Sequence, residues 1–158
     1  MKTPMMTALA LPLGITLLAC GDGTGGGYDI DDGPLSGMVA GQSFTLAQGH
    51  TNWFLSDDEG FFGTFFGTSY EPCSDFDSPS DEAHLLGNIP TELGEHNFGL
   101  SQNLTFYDPN DNSNLIATTG VIVVDAITDT EVSGGIYAYY DEDNEVSGQF
   151  TVDICPEQ

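Results

Sequence analysis

The sequence almost lacks basic side chains, and this absence excludes several classes of partner. Its 158 residues include 25 acidic residues and a single basic residue, Lys2, for a formal net charge of −24. Nucleic-acid binding depends on cationic side chains that neutralise phosphates, and attraction to anionic lipid headgroups depends on the same groups. Arginine clamps on carboxylate or phosphate substrates are also impossible. We therefore expect no nucleic-acid partner.

Familiar catalytic motifs are missing as well. The chain contains no G-x-S-x-G, H-E-x-x-H, C-x-x-C or P-loop sequence. The glycine-rich segment 21–27 fits G-x-G-x-x-G by spacing alone, because neither a strand precedes it nor a helix follows it. The three histidines, His50, His84 and His96, lack the spacing of metal ligands. We therefore expect a protein that is not an enzyme. An unrecognised hydrolase is the alternative, and a cleft that unites a histidine with two carboxylates would favour it.

The excess of acidic residues has two interpretations. Adaptation to a marine or saline habitat would account for it, and so would binding of divalent cations. In either case we expect tolerance of high salt and weaker stability at very low salt, because screening reduces the repulsion among like charges.

The N-terminus has the pattern of an export signal. Residues 5–19, MMTALALPLGITLLA, form an apolar run that is short for a membrane span and typical of a signal peptide. The run ends in Leu17-Leu18-Ala19-Cys20, which resembles the lipobox of bacterial lipoproteins. This resemblance implies a signal peptide over 1–19, cleavage before Cys20 and lipid on that cysteine. An ordinary signal peptide that leaves a free Cys20 is the alternative.

The resemblance also implies a location. Two or more acyl chains hold a protein stably on a membrane. The residue after the cysteine is Gly21 rather than the Asp that marks retention at the inner membrane. We therefore expect attachment to the outer membrane, on its periplasmic or surface face. Residues 20–33, rich in Gly and Asp, would form a flexible tether.

Residues 34–158 have the composition of one all-β domain. Clusters of Gly, Asn, Asp and Ser recur at short intervals and separate runs rich in Val, Ile, Thr, Phe and Tyr. This pattern predicts a single antiparallel β-sandwich, with a barrel-like arrangement as the alternative. The predicted strands are 36–40, 42–48, 51–55, 60–68, 83–89, 95–100, 102–107, 114–118, 119–127, 132–140 and 145–154.

The clearest predicted element is a C-terminal hairpin. Two segments that both begin EVSG, at 131–140 and 145–154, flank the loop 141–144. Alternation of apolar and polar residues in the second segment predicts one buried face. The glycines that follow Ser133 and Ser147 predict bulges or close backbone contacts.

Two other segments leave alternatives open. The segment 61–68, FFGTFFGT, places aromatic side chains on both faces of a strand. It is either covered on both faces or forms an aromatic surface for a ligand or partner. The segment 78–82, SPSDE, has Pro at a first helical position and acidic residues in the first turn, so we expect a short helical turn before the next strand.

Two cysteines lie within the predicted domain. Cys73 and Cys155 form an even pair in a protein that we expect to be exported, which predicts a disulfide bond. The bond would close a loop of about 80 residues and stabilise the fold by about 4.5 kcal/mol in the chain-entropy model.

Calcium is the best chemical candidate for a bound ion. The segment that begins at residue 108 starts like an EF-hand loop but has Ser and Thr where that loop has Gly and Glu. A hairpin turn rich in Asx residues is the alternative. The candidate ligands, which carry side-chain oxygens in turn-forming loops, are Asp108, Asn110, Asn112, Asp141 and Asp143. We expect no other cofactor.

Taken together, these patterns predict an envelope protein with a structural or binding role. The lipobox, the glycine-rich tether, the hairpin and the late cysteine resemble small secreted β-sandwich lipoproteins of Gram-negative bacteria, a likeness that implies a fold class and not an activity. The partner would be a glycan or an envelope protein. The alternative is a calcium-dependent carbohydrate-binding or adhesion module, in which Trp53, Tyr137 and Tyr139 would join the acidic loops in one site.

Overall fold

The computed structural model describes residues 27–57, 59–69, 73 and 81–156, and the regular structure within them is entirely β. This confirms the predicted all-β class. Each of the eleven predicted strands corresponds to an observed one. In chain order they are β1 (Ser36–Val39), β2 (Gln42–Thr45), β3 (Gln48–Asn52), β4 (Gly60–Phe66), β5 (His84–Pro90), β6 (Gly94–Asn97), β7 (Leu104–Asp108), β8 (Ser113–Ala117), β9 (Thr119–Ile127), β10 (Glu131–Asp141) and β11 (Asn144–Asp153).

The observed bounds differ from one predicted strand, and the predicted helical turn cannot be compared with them. The third strand was predicted over 51–55 but ends at Asn52, because the next residues form a turn. The predicted helical turn falls mostly on residues 78–80, which lie outside the described residues.

All eleven strands belong to one hydrogen-bonded sheet. Its order is β6-β9-β10-β11-β3-β4-β5-β7-β8, with β1 on β11 and β2 on β1. The pairs are antiparallel except for β11 and β3, which run parallel and meet where Asp153 pairs with His50. The expectation of two separate sheets in a sandwich is not confirmed, because this parallel junction makes the sheet continuous.

The sheet curls so that its two halves enclose the core. Phe65 of β4 and Phe150 of β11 meet edge to face, with ring centroids 5.6 Å apart. The predicted buried face of β11 is confirmed, because Val146, Phe150 and Val152 are all buried. Phe65 and Phe66 are both fully buried although they point to opposite faces, which agrees with a β4 strand covered on both faces.

The predicted disulfide bond is present and joins the end of the sheet to a distant loop. Cys73 and Cys155 are bonded, with their Cα atoms 5.4 Å apart. The backbone N–H of Cys155 also donates to the hydroxyl of Thr51, at 3.0 Å. The C-terminal segment is therefore fixed to β3 and, through sulfur, to residue 73.

Residues 28–34, called here the N-terminal strap, cross the outer face of β10 and β11 and end in backbone pairing with Gln149 of β11. The Tyr28 ring stacks on Tyr137 with centroids 4.9 Å apart. The backbone N–H of Asp31 donates to the Ser147 hydroxyl, and the Gln149 side chain donates to the Asp31 carbonyl. Contacts with the sheet thus begin within the predicted tether, whose residues 20–26 lie outside the described residues.

Pairing of the strands defines two ends of the sheet. The basal end holds the turn 142–143 between β10 and β11, and the strap begins near it. The apical end holds the loop 53–57 that follows β3, together with the turn 91–93 that follows β5. These two segments are neighbours because Gly60 pairs with Pro90.

Candidate functional site

The loop 53–57, called here the apical loop, is built on one asparagine. The Asn52 side-chain oxygen accepts hydrogen bonds from the backbone N–H groups of Phe54 and Leu55, at 3.0 and 3.2 Å. The Asn52 carbonyl accepts the Ser56 N–H at 3.0 Å and the Ser56 hydroxyl at 2.6 Å. Asparagine favours such turns because its side chain mimics a backbone acceptor. The loop is therefore held by its own hydrogen bonds.

The return of the loop into β4 is fixed in the same way. The Ser56 hydroxyl oxygen accepts the N–H of Phe62, at 2.9 Å. One carboxylate oxygen of Asp57 accepts the N–H groups of Glu59 and Gly60, at 2.9 and 3.0 Å. Both ends of the apical loop are thus tied to the rigid sheet.

This scaffold holds apolar side chains in solvent. Phe54 is 72% exposed and Leu55 is 53% exposed. Trp53 is half-buried, and its ring meets the Phe54 ring edge-on with centroids 5.8 Å apart. Asn52 to Leu55 line a shallow cavity of about 370 Å³ with an almost wholly apolar surface. Adjacent exposed apolar residues on an ordered loop are typical of an interaction site.

Part of this surface is predictable from the sequence. Trp53 was a predicted ligand-binding residue, whereas Phe54 and Leu55 were missed because the run was interpreted as a strand. The signal that could have found them is Asn52, a turn-forming residue directly before the apolar run.

A polar cleft lies beside the apical loop. It has a volume of about 420 Å³ and is lined by Glu59, Pro90, Thr91, Glu92, His96 and Gln102. The backbone N–H of Thr91 donates to the Glu59 carbonyl, and the His96 Nε2 atom lies 2.9 Å from the Glu92 carbonyl oxygen. The cleft therefore unites a histidine with two carboxylates, and it suits a ligand that donates hydrogen bonds or carries positive charge.

The other two histidines lie elsewhere, in a stack of rings on the outer face of β3, β4, β5 and β7. Ring centroids are 5.9 Å apart for His50 and Phe66, 5.3 Å for Phe66 and His84, and 4.6 Å for His84 and Tyr107. Phe66 separates the two imidazoles, so they do not share a ligand.

Both of these histidines are buried. Burial lowers the pKa of His50, and the nearby Asp153 carboxylate only partly opposes this effect. Burial also lowers the pKa of His84, against the contrary influence of Glu82, whose carbonyl oxygen lies 2.8 Å from Nδ1. Both imidazoles are therefore harder to protonate than an exposed histidine.

The predicted calcium ligands form turns. One Asp108 oxygen accepts the backbone and side-chain N–H groups of Asn110, at 2.8 and 3.0 Å. The Tyr107 hydroxyl donates to the side-chain oxygen of Asn112, at 2.9 Å. Within the part of the chain that the structure describes, no group of three or more His, Cys, Asp or Glu side chains is placed to hold a metal.

The second predicted calcium loop, between β10 and β11, is also held by hydrogen bonds to an Asp side chain. One Asp141 oxygen accepts the N–H of Asp143, at 3.1 Å, and the side-chain amide of Asn144, at 2.8 Å. The Asn144 side chain is buried and in turn accepts the N–H of Ala40. These carboxylates shape the basal turns, and calcium binding by either loop stays a prediction.

The three aromatic residues of the predicted glycan site do not converge. Tyr137 stacks on Tyr28 and lies two residues from Tyr139 on β10, towards the basal end. The strand partner of Tyr137 is Ser147, which is six residues before Asp153 on β11, a distance of about 20 Å. Trp53 lies beyond that point, at the apical end.

Comparisons with protein-family models, with curated proteins and with solved structures found no match to this chain. Among the described residues, no helix has the length and apolar character to cross a membrane.

Proposed function

We propose that this chain is the precursor of a lipid-anchored protein of the bacterial outer membrane, with a non-enzymatic binding role. Its contact surface is the apical loop. The observation that carries the binding role is the exposure of Phe54 and Leu55 on a loop that Asn52 and Asp57 hold in one shape. The lipobox ending at Cys20 supports the anchor.

The direction in which the chain enters the domain supports this arrangement. The strap begins beside Tyr137 and runs parallel to β11, as the parallel bridge between Pro34 and Gln149 indicates. Cys20 precedes Gly27 by seven residues, which span at most about 25 Å when extended. Lipid on Cys20 would hold the basal end near the membrane, so the apical loop would point away from it.

Mass spectrometry of the protein from its native host tests the anchor. We expect the mature chain to begin at Cys20 and to carry lipid, and we expect the variant Cys20→Ser to leave the membrane fraction. Retention of residues 1–19, or an unmodified Cys20 on a chain cut elsewhere, would contradict the anchor.

Matched variants test the contact surface. The double variant Phe54→Ser/Leu55→Ser removes the exposed pair, and Leu100→Ser removes an apolar side chain that is 96% exposed in another loop. An envelope component that is retained by the wild type and by Leu100→Ser, but lost by the double variant, supports the proposal. Equal retention by all three proteins would contradict it.

The polar cleft favours hydrolysis as a second candidate function. The side chains of Glu59, Glu92 and His96 line one cleft, which is the combination of residues that a hydrolase would need. Chromogenic ester and glycoside substrates would test it, with His96→Asn and Glu59→Gln as variants. Turnover that falls at least tenfold in both variants would support an enzyme, whereas wild-type rates equal to those of buffer would rule out hydrolysis of these substrates.

A further inference from the structure

We infer that the partner of the apical loop is a protein segment that carries apolar side chains next to Lys or Arg. This inference rests on the proposed binding function and adds the chemistry of the partner. The apical loop exposes apolar side chains, and the described residues contain many Asp and Glu but no Lys or Arg.

The apolar side chains set the first requirement. Phe54 and Leu55 project from the loop, and Leu93, which is 64% exposed, lies in the turn 91–93 at the same end of the sheet. Burial of such side chains against a partner removes apolar surface from water and stabilises the complex. A large aromatic side chain at the centre of a contact commonly carries much of the binding energy. The partner therefore needs apolar groups of its own.

Charge sets the second requirement. The described residues contain no Lys or Arg, so a Lys or Arg in any ion pair across the contact must come from the partner. Acidic residues follow the apolar tip in the chain and occur in the neighbouring turn. Asp57 closes the loop, Glu59 follows it, and Glu92 lies in the neighbouring turn, which is tied to Glu59 through Thr91. Positive charge on the partner would both steer its approach and pair with these groups.

Two other occupants fit these observations less well. A second copy of this chain would bring a second strongly negative charge to the contact, and like charges oppose association. An anionic lipid surface is repelled for the same reason. In addition, the strap places the start of the described chain towards the basal end, away from the apical loop.

Tryptophan fluorescence gives a direct readout, because Trp53 is the single tryptophan of the chain and lies in the apical loop. The mature lipoprotein, anchored in phosphatidylcholine vesicles, is titrated with a synthetic peptide of Leu and Lys. A matched peptide of Leu and Glu and vesicles that contain phosphatidylglycerol serve as comparison probes.

We expect the Leu–Lys peptide to shift the Trp53 emission to shorter wavelength and to saturate. The affinity should fall at least tenfold in Phe54→Ser/Leu55→Ser and fall less than twofold in Leu100→Ser. Higher salt should weaken binding, because screening reduces attraction between the peptide and the carboxylates. Unchanged circular dichroism would show that the variants remain folded, and the single variant Leu55→Ser provides a milder test.

Three results would overturn the inference. Equal affinity of the double variant and Leu100→Ser would show that the peptide binds through general charge alone. If the Leu–Glu peptide bound as tightly as the Leu–Lys peptide, the partner would not need basic residues, although the proposed binding role would stand. A shift with phosphatidylglycerol vesicles but not with peptide would make the occupant a lipid. The proposed binding role itself falls only if the envelope component is retained equally by all variants.

Discussion

At the scale of single residues, the buried histidines make stability depend on pH. Burial lowers the pKa of His50 and of His84 in the folded state, below the value of about 6.5 for an unfolded chain. Below that pH the unfolded state binds more protons, so protonation favours unfolding. The stabilisation is fully present above pH 6.5 and is lost as the pH falls through the lowered pKa values.

Urea unfolding between pH 7.5 and 5.5 checks this dependence. We expect the unfolding midpoint to fall across the interval, and we expect His50→Gln/His84→Gln to flatten the fall. His96→Gln is the matched control, because His96 lies in the polar cleft and outside the ring stack. A fall of the same size in the double variant would show that other groups cause it.

Glycine at 134 is required by close backbone packing. A Cβ atom there would lie 1.8 Å from the Val123 carbonyl oxygen, beside the register shift between Ser133 and Gly134. The glycine after Ser147 is similar, with a φ of +137° and a Cβ position 2.6 Å from the Pro34 carbonyl oxygen. The prediction of a bulge or close contact after each EVS segment is therefore confirmed.

Replacement of Gly134 by alanine should destabilise the fold by about 2 kcal/mol or more, because the backbone of β9 must move. Chemical denaturation measures the change. Gly99→Ala is the control, since a Cβ atom at Gly99 would meet nothing within 4 Å, and its effect should stay within about 0.5 kcal/mol. Similar stability of the two variants would contradict the packing argument.

At the scale of elements, Asn52 is the residue that shapes the apical loop. Asn52→Ala removes the acceptor for the N–H groups of Phe54 and Leu55, so we expect a loss of about 1 kcal/mol in stability and a looser loop. Hydrogen exchange at these two amides should become faster. Asn88→Ala is the control because its side chain is exposed on β5. Unchanged exchange in Asn52→Ala would show that the loop does not depend on this side chain.

Most elements could be predicted from the sequence, because alternation of apolar residues and turn-forming residues are local signals. The end of β3 could not, because Trp53 to Leu55 are good strand formers by composition. The Asn52 side chain accepts hydrogen bonds from the backbone of the following residues, and these bonds stabilise a turn in place of a longer strand. For the same reason, the sequence did not indicate that Phe54 and Leu55 belong to the candidate binding surface.

At the scale of the whole molecule, one disulfide bond closes a long loop. The variant Cys73→Ala/Cys155→Ala retains Cys20 for the anchor and should lower the free energy of unfolding by about 4 kcal/mol, mainly because the unfolded chain gains freedom. Urea unfolding of the wild type and the variant, both without reductant, measures the difference. Equal stability would indicate that the bond adds no restraint.

Neither the continuity of the sheet from β11 to β3 nor the polar cleft could be predicted. The parallel junction of Asp153 and His50 joins strands that are distant in sequence, and no local pattern encodes that pairing. The cleft could not be predicted either, because Glu59 lies far in sequence from Glu92 and His96, and the pairing of β4 with β5 brings them together. Such sites form between residues that are distant in sequence, whereas turns and the buried faces of strands depend on residues that are close in sequence.

At this scale we propose that the protein is anchored by its basal end and presents the apical loop away from the membrane. Energy transfer from tryptophan to dansyl-labelled lipid headgroups tests this most directly, in vesicles that carry the mature lipoprotein. Transfer from Trp53 should be weak, and transfer from a tryptophan at the basal end, in Trp53→Phe/Tyr140→Trp, should be several-fold stronger. Equal or stronger transfer from Trp53, or failure of the mature protein to associate with the vesicles, would contradict the account.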